Sequence, residues 1–398
     1  MTEYRNDGLI NKYKRYIIIA FVFILISTSF MSGCSIITEN IQGFISSKPT
    51  SDTVLINTVE VTTAVEEALK NGKTEATFDV MLTHDEIKAL TTNLSPFWGM
   101  PTEFRVLNEY SDIEIERDGV TQTVDVSRVS FSLEQSINYY LYQKYKDTSF
   151  EIPTEQKEAT EIFDAFYEIV NSIFDAAFDH SASSYEKALK VHDYLVEKLY
   201  YDTSIDMISK ENGTYGAIKN KATMCQGYSE ALMLILISAT DVDAKLIVGE
   251  ANNGNGEWIG HAWNLVYMED AWYHVDATFS DPVSNVEGQI NHFYFGQNDA
   301  FMLADHSWDA AFWPAATGTD FLFYRMSGLF AESVNQMKDI IGSKLDDYPF
   351  SIEVVANGFE VKDSHLQFIY SENSDVTSIY RSLLPFGNAT ILQISLEY

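Results

Sequence analysis

Cysteine, histidine and aspartate follow one another in this chain in an order that suits nucleophilic chemistry. The stretch "KATMCQGYSEALMLIL" carries Cys225, one of two cysteines in 398 residues, the other being Cys34. Thr223 stands three residues before Gln226, the spacing of a capping box, which predicts a helix with Thr223 at its N-cap and Cys225 in its first turn. There the unsatisfied backbone amides and the helix dipole favour a thiolate over a thiol. The same amides are candidate donors to an oxyanion. The segment behind is apolar almost all round, which predicts a buried, rigid helix, and Gly227 permits another element to approach it closely. A free cysteine can equally be a small packed hydrophobe, so the role of this thiol depends on finding a base.

Eight histidines are available. His84 and His365 fall near the two ends of the folded part, and His180 and His192 belong to helical patterns. His192 lies on an apolar stripe and reads as a packed side chain. His292 and His306 follow the predicted strands in an irregular region. His261 and His274 lie on the strands "HAWNLVYM" and "AWYHVDATF".

Strand parity separates these two. If the turn at Glu269-Asp270 has two or four residues, Trp263 pairs with Asp276. His261 then lies diagonal to Asp276 on the same face, within side-chain reach. A three-residue loop would instead put Asp276 opposite Asn264 and destroy the arrangement. His274 shares the face but sits on Asp276's own strand, at a poorer angle. A thiol, an imidazole and a carboxylate so placed are the parts of a nucleophile, a base and the group that fixes the tautomer of the base. Asp276 could also be a strand-end residue that binds nearby backbone.

"TMCQGYSEALMLIL", "GHAWNLV" and "WYHVDATFSDP", in that order, closely resemble the bacterial transglutaminase-like superfamily, a branch of the papain-like cysteine enzymes. "HDYLVEKLYYD" and "GTYGAIKNK" resemble the approach to its nucleophile. The resemblance covers roughly Tyr185 to Pro282, with looser similarity through "NHFYFGQNDAFMLADHSWD". It implies a cysteine-bearing helix packed on an antiparallel sheet, with Cys225 as nucleophile, His261 as base and Asp276 as orienting carboxylate; no member of that set is replaced. The implied chemistry is acyl transfer on amide bonds of peptides or proteins through a thioester, ending in hydrolysis or transamidation. Trp258 and Trp263 are candidates for excluding water from the thioester, although core packing suits at least one of them, and Gln226 and Tyr228 are further candidate lining residues. No cofactor is implied: no acidic loop has calcium-ligand spacing, and two cysteines make no case for zinc. The alternative is a cell-surface binding or scaffolding protein that keeps the fold without turnover.

The elements that must position these residues lie in a chain of about three modules. Residues 1–33 have the plan of a signal peptide: Lys12, Lys14 and Arg15, an apolar run from Tyr16 to about Phe30, then "MSGC". That run is shorter than the roughly 20 residues of a comfortable span, and "MSGC" looks like a lipobox with Cys34 as the lipidated residue. The expected location is outside the cytoplasm, anchored by lipid to a bacterial membrane, with residues 34–52 as a polar tether. An α+β module at 53–148, the transglutaminase-like domain at 151–325 and an α+β module at 326–398 follow, giving an α+β chain overall.

The full chain has a net charge of −32. Without residues 1–33 it loses Glu3, Asp7 and four bases, which leaves 56 acids against 22 bases. A field of that sign repels nucleic acid and anionic head groups, so nucleic-acid binding is excluded. The expected partners are a peptide or protein substrate in the cell envelope and, through the anchor, the membrane. Cys34→Ser should therefore release the chain from the membrane fraction or leave its signal uncut; an intact N-terminus without lipid, read by mass spectrometry of the untreated protein, would contradict this.

Overall fold

A computed structural model describes residues 48–50, 52–93, 95–175, 178, 181–281 and 290–398. The signal segment, Cys34, the tether as far as residue 47 and His180 lie outside the described residues. Thr50–Tyr398 form one compact unit. It has the α+β architecture the sequence predicts, with three larger sheets and helices packed against them. Among the described residues no helix is long and apolar enough to cross a membrane.

The first sheet has the order β1-β2-β4-β3, from Val54–Leu55, Glu75–Val80, Val120–Gln135 and Gly99–Arg117. Helix α1, Thr58–Lys70, buries Val61, Val65 and Leu69 against it at helical spacing. Asp118-Gly119, a pair suited to a tight hairpin turn, form a two-residue turn, with Arg117 paired to Val120 and both turn residues at positive φ (53° and 76°). The β3 strand starts at Gly99, well before the alternating stretch "DIEIER" at 112–117. Pro101 and three register shifts break the alternation over that first half, and an edge strand tolerates both. In the interior of the sheet Asp79 pairs directly with Arg128, whose Nε and a terminal nitrogen donate to the two carboxylate oxygens at 2.6 and 2.8 Å.

The second sheet is antiparallel throughout, in the order β10-β9-β8-β7-β11: Phe295–Gln297, Ala271–Val275, Trp258–Met268, Ala244–Asn252 and His306–Ser307. Helix α5, Ser184–Lys198, opens with the capping box that Ser183 and Glu186 predict. Helix α6, Cys225–Ala239, is buried on nearly every side, as its largely apolar sequence requires. The β8–β9 connection is a two-residue turn, with Met268 paired to Ala271 and Glu269 and Asp270 at φ 48° and 64°. Those are unfavourable values for non-glycine residues. The turn is held by α5, because the Glu269 amide donates to Ser184 Oγ at 3.0 Å.

The third sheet, β12-β13-β15-β14, spans Phe330–Ala331, Ser351–Asn357, Ala389–Glu397 and Ser378–Phe386. Its alternation feeds two cores. Ile352, Val354 and Ala356 pack into a cluster of its own, whereas Val355 and Ile391 join the main core that runs from Val61 through α6. The expected boundary near residue 325 therefore lies beside a packed interface.

Asp79 and Arg128 are almost completely buried. Removing one partner strands the other charge, so Asp79→Ala should cost about 3–5 kcal/mol in urea unfolding, while a double replacement by apolar residues should cost much less. A small loss in the single variant would mean that water reaches the pair.

Candidate active site

Cys225 is half-buried and is the first residue of α6. The expected capping box around it does not form, and Thr223 is not the N-cap. Lys221 turns the chain in the left-handed region, and Ala222-Thr223 then run as a short strand, β6, parallel to Tyr200–Tyr201 (β5). Extended backbone at Thr223 delays the helix by one residue, so Met224 takes the cap position and offers no side-chain bond. The Thr223 hydroxyl donates instead to the Glu211 carbonyl at 2.8 Å, and Gln226 donates to Glu230 at 2.8 Å. With no side chain capping this end, the first amides of the helix remain beside the thiol for an incoming acceptor. Gly227 is required by close packing: a Cβ there would meet Thr223 Oγ1 at 2.0 Å.

His261, the candidate base, arrives on β8. The β8–β9 register pairs Asn264 with Val275, which carries Trp263 opposite Asp276 and His261 diagonal to it. His261 Nε2 lies 2.7 Å from Asp276 Oδ2, and both side chains are buried. With Nε2 engaged by Asp276, the ring's other nitrogen is the one left for Cys225, which is close enough to His261 to interact with it electrostatically. Burial by itself would lower the His261 pKa. The charge and hydrogen bond of Asp276, aided by Cys225, outweigh it and raise the value to about 10. Asp276 is fully buried, yet its pKa is lowered, because His261 and His306 together overcome the burial penalty. Its Oδ1 accepts the Phe279 amide at 3.0 Å as the cap of a one-turn helix, α7, Ala277–Ser280.

His274 is committed elsewhere. Its Nδ1 accepts the Trp263 indole N–H at 2.9 Å, its Nε2 lies 2.8 Å from Asp299, and burial lowers its pKa. Trp263 itself is wholly buried, its ring stacked near that of His261 at 5.9 Å between centroids, so it packs in the core beside His261 and offers no surface to a ligand. Tyr228 is likewise in the core, with its hydroxyl donating to Asp281. Of the four candidate lining residues, Trp258, 47% exposed, and half-buried Gln226 stay within reach of a ligand.

Two residues absent from the sequence-level site belong to it. Tyr201 interacts electrostatically with Cys225 and Asp276, and burial, with their help, pushes its phenol up to about 12. His306 Nε2 lies 3.1 Å from Asp276 Oδ2. No periodic signal marks His306, because its strand is two residues long. Among the described residues, His192, Asp193 and His292 are spaced closely enough for a metal ion, as are His261, Asp276 and His306. In the second group both histidines already bond through Nε2 to the Asp276 carboxylate, which makes it a hydrogen-bonded chain and not a vacant ligand set.

The profile of the Transglutaminase-like superfamily matches residues 174–277, a span that contains Cys225, His261 and Asp276. The chain carries a transglutaminase-like domain. No curated protein matches it significantly in sequence. Solved structures similar to it include a TGase at 13% identity, with 56% of this chain and 59% of that one covered and a TM-score of 0.26. The periplasmic domain of TgpA from Pseudomonas aeruginosa is similar at 17% identity, with 43% and 59% covered and a TM-score of 0.25. The chain thus spans about three fifths of the length of each. The transglutaminase-like fold is that of cysteine acyltransferases and proteases.

Asp276→Asn removes the charge that overcomes burial at His261. In an NMR titration of its ring, the His261 pKa should fall from about 10 to below the ordinary 6.5. A value that stays high would show that Asp276 is not what holds the proton.

Proposed function

We propose that this chain is a cysteine enzyme of the cell envelope that transfers the acyl group of peptide or protein amides. The observation that carries the reading is the buried His261–Asp276 pair at 2.7 Å beside a thiol at a helix start. His261 takes the Cys225 proton, and the sulfur attacks the amide carbonyl. The oxyanion of the tetrahedral intermediate is met by the uncapped amides at the start of α6. The C–N bond then breaks, and the amine leaves with the proton held by His261. Water or a second amine, deprotonated by the same imidazole, releases the thioester and restores the thiol. Asp276 keeps the imidazole in the tautomer whose free nitrogen faces sulfur and stabilises the imidazolium formed on the way.

Exposed apolar residues on two segments connected to the site fit an extended peptide. Met207 and Ile208 are 58% and 88% exposed on the loop that Asn212, through Met207 O at 2.9 Å, ties towards Gln226. Trp258 is exposed at the start of β8, the strand that carries His261. The lipobox-like "MSGC" that ends in Cys34 supports attachment to the outer side of a membrane, where such substrates lie.

Single-turnover acylation by an activated ester, followed as mass added to Cys225, tests the assignment. Cys225→Ala should abolish it, since no other side chain of the site can form the thioester. His261→Ala should be nearly as severe, and Asp276→Asn should lose up to about 10⁴-fold, as in serine triads. His274→Ala, scored per folded molecule, should lose far less. Turnover that survives in Cys225→Ala would end the reading.

A further inference from the structure

Asp276 serves two histidines, and only one of them faces the thiol. His306 enters on β11, the edge strand that pairs with β7 through Ala251, and its side chain is wholly buried. Its Nε2 lies 3.1 Å from Asp276 Oδ2 and its Nδ1 lies 2.6 Å from Asp305 Oδ1. An ionised carboxylate only accepts hydrogen bonds, so both ring nitrogens must donate, and an imidazole that donates from both is a cation. Asp305 is itself fixed, since Tyr294 donates to its other oxygen at 2.6 Å.

We propose that His306 is a positioning residue of the thiol site: as a buried imidazolium it holds Asp276 Oδ2 in place and tempers the basicity that Asp276 confers on His261. The proposal rests on the acyl-transfer reading above. Two donors on Oδ2 and the Phe279 amide on Oδ1 leave the carboxylate no freedom to rotate. The centroids of the two histidine rings are 5.6 Å apart, so a positive charge on one opposes protonation of the other. That opposition is useful. An imidazolium that holds its proton too tightly is a poor acid towards the leaving amine.

Other surroundings do not account for this arrangement. Trp263, Phe279 and Tyr294 pack against the His306 ring, and any aromatic side chain could fill that space. A packing role does not call for a carboxylate at each nitrogen. The titratable groups that face the ring are Asp276, Asp305, His261, His274 and Tyr294, with Cys225 beyond His261, while Glu250 on the paired strand is exposed. Burial favours the neutral ring, but the two carboxylates outweigh it and raise the His306 pKa, in agreement with the geometry.

The test uses the full chain. Long-range proton–nitrogen NMR of wild-type protein should find both His306 nitrogens protonated at neutral pH, and Asp305→Asn should lower the pH at which the ring loses a proton. A neutral His306 tautomer at neutral pH overturns the proposal. In parallel, alkylation of Cys225 by iodoacetamide is followed against pH, peptide by peptide, in wild type and His306→Gln. The glutamine keeps an N–H for Asp276 but carries no charge. The upper inflection, where His261 loses its proton, should therefore move to higher pH by about half a unit to one unit. A folded His306→Gln protein whose inflection does not move reduces His306 to packing. If that variant fails to fold, the His306 titrations of wild type and Asp305→Asn decide. Should Cys225 alkylate no differently in His261→Ala, the acyl-transfer reading falls, and the ring protonation of His306 still stands or fails by NMR.

Discussion

A carboxylate withdrawn completely from water, Asp276, is the constraint around which the rest of the site is built. Such a charge carries a penalty of several kcal/mol unless protein donors replace the lost hydration. Here the replacements come from three directions: His261 across the hairpin, His306 on the far edge of the sheet, and the Phe279 amide immediately downstream. Each donor needs its own piece of backbone, so the β8–β9 turn, strand β11 and the one-turn helix α7 must converge on one point. The opposition between burial and charge repeats at every member. Burial favours the neutral imidazole at His261 and the neutral acid at Asp276, and their proximity reverses both.

The thiol side of the site is made rigid by different means. Helix α6 is apolar over most of its surface and lies in the interior, wedged between the β7–β8 sheet and the loops before it, with its Gln226, Ser229 and Glu230 side chains hydrogen-bonded. Glu230, buried on that helix, accepts from the Thr214 amide at 2.8 Å and from Gln226 at 2.8 Å, which fastens the loop at residue 214 to the start of the helix. Ser229 donates to the Ala262 carbonyl at 2.9 Å, so the helix that presents Cys225 is tied to the strand that presents His261. The spacing of sulfur and imidazole is thereby set by backbone attachments one residue from His261 and one turn from the thiol.

The C-terminal sheet is joined to this core through a second acidic–imidazole network. His292 lies between Asp193 of α5, at 3.1 Å, and Glu353 of β13, at 3.4 Å, with its ring stacked on Phe323. Burial works against the charged ring, but the two carboxylates raise its pKa to about 9, so it is cationic at neutral pH. Glu353 and Val355 share the β13 face that turns towards the transglutaminase-like domain, while Ile352, Val354 and Ala356 serve the sheet's own cluster. Period-two alternation thus lets one strand fill two cores, and the third module is continuous with the interior of the second.

Local sequence determined a great deal. Thr83 with Glu86 and Ser183 with Glu186, each pair three residues apart and closing a capping box, the Asp118-Gly119 turn and the apolar run of α6 are short-range patterns, and the backbone follows them because nothing distant competes. Parity along β8 and β9 was also legible, since side chains alternate with a period of two and the turn is only two residues long. Other features had no local signature. Thr223 and Gln226 have capping-box spacing, but the pairing of β6 with β5, distant in sequence, keeps Thr223 extended and moves the cap to Met224. Trp263 and Tyr228 resemble lining residues in sequence, and only the packed core shows them to be beneath the site. His306 comes 30 residues after Asp276 on a two-residue strand, too short for any periodicity, and reaches the carboxylate because β11 pairs with the opposite edge of β7. The sequence alone named a thiol, a base and a carboxylate; the burial of that carboxylate, and the second histidine beside it, exist only once the sheet has brought both edges together.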